Sequence, residues 1–407
     1  MKQETVCGLD IGTTKTCAVV ASEGPHGLEI VGVGEAPSLG MRKGVVVDLD
    51  ETIKSIEAAT ERAERMAGIH IQDVYVAITG DHIRSTNNRA VVAVSSEDRE
   101  VSNGDVRRVI DASKIINLPA DRQIIHALPR YFTVDGQDGV EDPVGMAGGR
   151  LEVDTHIITG GSTFITNVLK CVHRAGLESA GLVFEPLASS AATLLPEEKQ
   201  VGVVLLDIGG GTTDIAVYSA GGAIYTATLP VGGNVLTNDI SLGLKTTLTE
   251  AEDIKKQYGA GTPEGSPDAT TFGVRTLDGR TTKDVSTVQL HTIVMPRVIE
   301  TFRMAKTKIV DNVPRDLVLG EVVLTGGGAL LPGIEHIAEE VFGLPVRVGA
   351  PGADVTGLTE AYRLPQYSTA IGLVLFGPEG GSSNGMRPRR HASYTAKIRK
   401  WLADLWN

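Results

Sequence analysis

Two short segments carry aspartate, glycine, threonine and lysine at spacings that suit phosphate and metal chemistry. Asp-Ile-Gly-Thr-Thr-Lys runs from 10 to 15, and Asp-Ile-Gly-Gly-Gly-Thr-Thr-Asp from 207 to 214. Gly12, Gly209, Gly210 and Gly211 let a hairpin backbone approach an anion closely and aim successive N–H groups at it. Thr13, Thr14, Thr212 and Thr213 would add hydroxyl donors, and Lys15 a positive charge. Asp10 and Asp207 are placed to hold Mg²⁺ through its waters, several of which that ion usually keeps. A third segment, from Leu324 to Gly333, reads as strand, turn and helix start. There Gly326, Gly327, Gly328 and Ala329 offer backbone against which an adenosine could lie. Each segment alone also reads as a glycine-rich turn with no ligand; the duplication favours a clamp on a triphosphate. No GxxxxGK[ST] occurs, and Gly32-Val-Gly34 continues as Glu-Ala-Pro, so P-loop and Rossmann readings both fail.

The elements that must position these residues follow from the same repeat. Residues 6 to 20 and 203 to 217 share one pattern, an apolar strand, Asp-Ile-Gly, a hydroxyl-bearing turn and a second apolar strand. Such a repeat at half-chain distance predicts two similar lobes, each opening its sheet with a β-hairpin. Helical spacing over 50 to 67, with Asp50 as cap, precedes a strand at 74 to 80. Residues 84 to 160 read as an inserted small α+β module, with Ser102 capping a helix and alternating segments at 123 to 134 and 151 to 158. A helix at 249 to 259 is expected to open with a capping box from Thr249 to Glu252. A loop at 259 to 271, a long helix at 285 to 311, a strand at 322 to 328 and a helix near 333 to 342 follow. A final strand is expected near 367 to 376, and a flexible linker at 377 to 391.

Composition narrows the function classes. With 407 residues, of which 42% are hydrophobic and 22% charged, the chain has enough material for two lobes. Its 48 glycines and few aromatics suit an α/β protein of aliphatic strands and tight turns. Three cysteines without CxxC or zinc spacing indicate neither a disulfide framework nor a metal site. The N-terminus has no signal-peptide h-region, and no run reaches the roughly 18 apolar residues of a spanning helix. A net charge of −12 argues against nucleic acid as the main partner. That charge is uneven, since from Arg387 onward six positive side chains face one negative, net +5, leaving −17 for the body.

Taken in order, the three glycine segments resemble the phosphate-1, phosphate-2 and adenosine motifs of the actin, sugar-kinase and heat-shock-chaperone ATPases. That resemblance implies an actin-like, duplicated RNase H-like fold closing over Mg-ATP. It places Glu185, in the connecting segment from Gly181 to Ser190, near the metal and the attacking water, although a buried carboxylate in a turn would look the same. It brings Gly232 and Gly233 to the nucleotide, and Glu252 and Lys255 to its ribose or adenine, unless the last two are simply a solvated helix face. Within the superfamily, the segments from His126 to Gly136 and from Asp142 to Glu152 resemble the insertion peculiar to the bacterial cell-division family FtsA.

The FtsA resemblance implies weak or absent ATPase activity, with ATP mainly stabilising a polymerising conformation. It also implies self-association into filaments, and later division proteins recruited by the insert. It implies a contact for the C-terminal peptide of the tubulin homologue FtsZ around 285 to 311. Arg297, Glu300, Arg303, Lys306 and Lys308 are candidates there, or merely a charged outer face. The expected division is 1–83 with 161–198 for the first lobe and 84–160 for the insert. The second lobe takes 199–245 with 312–376, its smaller subdomain 246–311, and an amphipathic helix 392–407. Soluble kinases, chaperone-type ATPases and pilus-assembly adaptors on the same fold are the alternatives. A chaperone would lack room for a substrate domain after the final strand.

The last sixteen residues read as a membrane anchor. At 100° per residue Tyr394, Ile398, Trp401, Leu402, Leu405 and Trp406 fill an arc of about 140°, while Lys397, Arg399 and Lys400 lie among the remainder. The helix would be about 24 Å long, short of a roughly 30 Å hydrocarbon core, so it would lie in the interface of an anionic leaflet. A helix folded back on the body is the alternative. Together with the FtsA resemblance, which implies the division septum, this gives an expected peripheral location on the cytoplasmic face of the inner membrane.

Overall fold

The computed structural model describes residues 5–24, 27–352, 355–357 and 360–380. Two five-stranded sheets dominate it, and they have the same topology. In the first, the spatial order is Glu178–Phe184, Asp73–Ile78, Thr5–Ile11, Lys15–Gly24, Gly27–Pro37. In the second it is Val346–Val348, Glu321–Thr325, Val203–Ile208, Thr213–Ser219, Gly222–Leu229. Each begins with a three-stranded antiparallel meander and adds two parallel strands beyond its first strand. The repeat in the sequence is thus a repeat in the fold, and the architecture is two-lobed α/β.

Parallel strands need helical crossovers, and those helices bury the sheets. Leu49–Ala67 presents Ile53, Ile56, Ala59 and Ala63 to the first sheet at three- and four-residue spacing. It approaches closely because Gly34 has no side chain; a Cβ there would stand 2.0 Å from the Ala59 carbonyl oxygen. Its cap is Asp48, whose carboxylate accepts from the Glu51 N–H, and not the expected Asp50, which sits in the first turn. Similarly, Leu248–Tyr258 is capped by Thr247, not Thr249. Glu252 therefore takes no part in a capping box and is available to other partners.

The insert is a separate four-stranded antiparallel sheet, ordered Arg84–Ala93, Arg150–Gly161, Arg122–Val134, Gln137–Val140, with the helix Asn103–Ser113 on one face. Ser102 and Asp105 form a reciprocal capping box at its start. Eight buried apolar side chains, among them Val106, Val109, Phe132 and Leu151, make its own small core. At about 1.5–3 kcal/mol for each large one, they give the insert a cohesion independent of either lobe.

One expectation fails outright. The apolar run near 367 to 376 is not a strand but the start of the helix Ser368–Gly380. Ala370, Ile371, Leu373 and Val374 are all fully buried, so this stretch is apolar all round and shows no helical stripe. Periodicity cannot separate a buried helix from a buried strand in such a run. The helix lies against Glu185–Thr193, where a Cβ on Gly372 would stand 1.8 Å from the Ala188 carbonyl oxygen. These two helices cross between the lobes, and both reach the cleft.

Candidate functional site

The tips of the two leading hairpins meet across that cleft. Each is closed by the same backbone bond, Gly12 N–H to the Lys15 carbonyl at 3.0 Å and Gly209 N–H to the Thr212 carbonyl at 2.9 Å. A Cβ on Gly210 would fall 2.0 Å from the Thr14 hydroxyl, and one on Gly211 2.4 Å from that of Thr13. Glycine is required here by the approach of one lobe to the other. Gly232 and Gly233 start the helix Gly233–Leu244 against the second tip, with Gly233 N–H donating to the Gly209 carbonyl and Asn234 N–H to that of Gly210. Glu252 and Lys255 join this group. Lys255 donates to the Gly233 carbonyl at 3.2 Å and to Glu252 at 2.6 Å, and Thr237 also donates to Glu252.

The third glycine segment closes the cleft from the side. Gly326 has φ +78°, and a Cβ there would stand 2.3 Å from the Asp207 carboxylate. Gly327 to Leu330 form a single tight helical turn with Ala329 buried beneath it. The strand before it, Glu321–Thr325, stops earlier than the expected residue 328 because the chain turns at Gly326.

Several expected phosphate donors are occupied within the loops. Thr213 donates to the Val231 carbonyl and Thr212 bonds Asp214, whereas Thr13 accepts from the Gly44 N–H and keeps its own hydrogen to donate. Thr14 is the exposed hydroxyl of the set. The Lys15 ammonium donates to the Gln366 carbonyl at 3.0 Å, pairs with Glu35 at 3.4 Å, and sits 3.7 Å over the Tyr367 ring.

Four carboxylates converge behind the tips. Asp10 and Asp207 end the leading strands of the two lobes, and Glu185 opens the connecting helix. Asp214 was not among the expected site residues. It lies opposite Asp207 on the returning strand, where it accepts from Thr79 of the first lobe and Thr228 of the second, both at 2.5 Å. The first hairpin gave no signal for it, because the residue opposite Asp10 is Cys17. Ser189 and Thr369, one from each crossing helix, both donate to Asp207.

Burial raises all four carboxyls. Asp10 is pushed up to about 7, with Lys15 opposing the shift and Asp207 adding to it. Asp214 also reaches about 7 by burial, against the hydroxyl bonds it accepts. Glu185 is raised well above the ordinary range by burial and then by Asp214, Asp10 and Asp207. Asp207 is raised by burial despite Ser189 and Thr369. Such mutual repulsion is what a divalent cation relieves. No group of three or more His, Cys, Asp or Glu among the described residues could ligate a metal directly. Carboxylates drawn from both lobes, at Asp10 and Asp207, fit an ion held through its waters, as Mg²⁺ prefers.

The second expected contact surface is a groove of about 1080 Å³ along Thr287–Asn312. Met295, Ile299 and Met304 line it with Glu300, Arg303 and Lys308. Arg297 lies beside it, paired with Asp239 at 2.7 Å and with Glu300. Lys306 points elsewhere, donating to the Val341 carbonyl at the end of Ile334–Phe342. Among the described residues no helix is long and apolar enough to cross a membrane. The expected anchor residues Tyr394, Lys397, Ile398, Arg399, Lys400, Trp401, Leu402, Leu405 and Trp406 lie outside the described residues.

Residues 204–372 match the family described as cell division protein FtsA, and residues 80–159 the SHS2 domain inserted in FtsA. The chain is 41% identical to the cell division protein FtsA of Pseudomonas aeruginosa, over 98% of this chain and 97% of that one. The chain belongs to the FtsA family. The cell division protein FtsA of Escherichia coli is 36% identical over 99% of this chain and 97% of its own length. Among solved structures, a PilM–PilN type IV pilus biogenesis complex matches with a TM-score of 0.66 at 18% identity, covering 91% of this chain and 98% of that one. MreB5 of Spiroplasma citri bound to ADP matches at 0.55 and 14%, covering 92% and 96%. These last two show the actin-like fold alone. With full-length FtsA relatives in several bacteria, the role of the chain is in cell division.

Proposed function

We propose that this FtsA-family chain binds ATP with Mg²⁺ between its lobes, polymerises, and ties FtsZ filaments to the inner membrane at the division septum. Thr14, the tip glycines and Lys15 would receive the phosphates, and the four carboxylates the hydrated ion. Glu252 and Lys255, held to Gly233, would face the ribose. The insert, residues 84–160, would meet later division proteins. The basic, tryptophan-bearing segment after Arg390 would lie in an anionic leaflet as a peripheral anchor.

The groove along Thr287–Asn312 is the observation that carries the FtsZ part of this reading. Its floor is apolar and methionine-rich, which suits a peptide laid lengthwise, and Arg303 and Lys308 supply cations for an acidic tail. Arg297 is already neutralised by Asp239, so it orders Glu300 and contributes less charge to the groove.

In fluorescence anisotropy with a labelled FtsZ tail peptide, Arg303→Glu with Lys308→Glu is expected to weaken binding about tenfold, or about 1.4 kcal/mol. Lys306→Ala, two residues away in the same helix, should leave affinity unchanged because its ammonium caps another helix. Equal affinities for wild type and the double reversal would remove the groove from the tail contact.

A further inference from the structure

The insert leaves the first lobe and returns to it, since its chain enters after Asp73–Ile78 and exits into the helix Ser162–Arg174. Its polar side chains nevertheless reach the second lobe. Gly222–Leu229 is the edge strand of the second sheet, paired on one side only, with Thr213–Ser219. An unpaired edge presents alternate backbone groups outward, and these need partners.

Side chains of the insert supply them. The Ser85 hydroxyl donates to the Thr226 carbonyl at 2.7 Å and accepts from the Thr226 N–H at 3.4 Å, so one side chain answers both outward groups of that residue. The Asn87 amide donates to the Ile224 carbonyl at 3.0 Å. Its amide oxygen then faces His156 Nδ1 at 2.7 Å, which makes Nδ1 the donor. His156 Nε2 is left to accept from the Thr226 hydroxyl, at 3.0 Å. His156 is buried, and burial lowers its pKa to about 3, in keeping with this neutral tautomer. At the start of the strand Arg130, paired with Asp154, packs against Gly222.

The two sheets share no ladder. Besides apolar packing, in which Ile158 and the partly buried Ile125 and Leu128 share one core with Tyr218 and Ala223, their contact is made of side-chain bonds to an edge, which part and re-form without unzipping either sheet. We propose that Ser85, Asn87 and His156 form a releasable latch clamping the insert onto the outer edge of Gly222–Leu229, so that the insert moves with the second lobe although its chain springs from the first. The nucleotide reading is not needed for this.

Hinge motion of the lobes would then carry the insert along or break the latch, and the two cases are separable. Cys7, Cys17 and Cys171 are buried, so spin labels go selectively to Ile115→Cys on the insert and Val318→Cys on the second lobe, both well exposed. Ser85 and Asn87 lie at the rim of the contact, so Ser85→Ala with Asn87→Ala opens no core cavity.

The latched protein should give one narrow label-to-label distance distribution, and the double variant a broad one. Amide exchange in Gly222–Leu229 should accelerate about tenfold in the variant, while Val203–Ile208 in the centre of the same sheet keeps its protection. An unchanged narrow distribution with unchanged exchange would overturn the latch. Faster exchange throughout the sheet would equally reject it, because the side chains would then be serving the stability of the whole lobe.

Discussion

Asp10→Asn should stabilise the metal-free protein at pH 8 while destroying its Mg²⁺-dependent affinity for nucleotide. The Asp10 carboxyl is raised from 3.8 to about 7 by burial and by Asp207. Between those values the folded chain keeps a proton that the unfolded chain has lost. The native state therefore binds more protons, and stability falls as pH rises through that window. Asp214, also at about 7, acts in the same direction. Asparagine removes the ionisation at one position, so the gain at pH 8 should be on the order of 2 kcal/mol and should vanish near pH 4.

A Mg²⁺ ion bound in the cleft as proposed would reverse the balance for the wild-type chain, because the same repulsion would become attraction to the ion. Asp10→Asn should then lower Mg-ATP affinity about a hundredfold, with little change for ATP in the presence of a chelator. Thermal melts at pH 4, 6 and 8, combined with calorimetric titration, check both halves. A variant that melts lower at pH 8 and binds Mg-ATP as tightly as wild type would contradict this account of the carboxylates.

Gly372→Val should be the most damaging single change in the crossing helices. The added carbons would enter the Ala188 backbone, where even a Cβ stands 1.8 Å from the carbonyl oxygen and 2.3 Å from its carbon. Backbone in a buried helix cannot swing aside as a long side chain can, so the helices must separate. A cost of about 3 kcal/mol or more is expected from such overpacking.

Separation also moves Thr369 and Ser189 away from Asp207, to which both donate. The variant should therefore lose nucleotide affinity as well as stability. Gly104→Ala, in the first turn of the insert's helix, is the control. A Cβ there meets only the Ser102 hydroxyl at 3.4 Å, and stability should hold or rise slightly. Similar melting temperatures for Gly372→Val and wild type would show that these helices are not in such close contact.

The fold was legible in the sequence wherever a repeat or a stripe existed. Asp10 and Asp207 sit at equivalent ends of equivalent strands, and this alone announced two lobes. The helix Leu49–Ala67 and the capped helix of the insert were legible for the same reason, since each has one buried face and a side-chain cap. Ser368–Gly380 was not, because burial of Ala370, Ile371, Leu373 and Val374 on all sides erased its periodicity.

In the site, the positions that must be glycine stood out in the sequence. Those whose role depends on a partner distant in sequence did not. Asp214 is defined by Thr79, 135 residues away, and its counterpart in the first repeat is a cysteine. The hydroxyls of Ser189 and Thr369 gain meaning only when two helices cross at Gly372. Lys15 looked like a plain phosphate contact, and its bonds to Gln366 and Glu35 came from segments that no local pattern joins to it.

Co-sedimentation with anionic liposomes tests most directly the proposal that this chain holds FtsZ polymer to a membrane. FtsZ, nucleotide and liposomes would be spun with the full chain, with a chain ending at Arg390, or with neither. FtsZ should pellet with the liposomes only when the full chain is present, and remain in the supernatant with the shortened one. Equal recovery of FtsZ with both chains, or none with either folded chain, would contradict the membrane-adaptor reading.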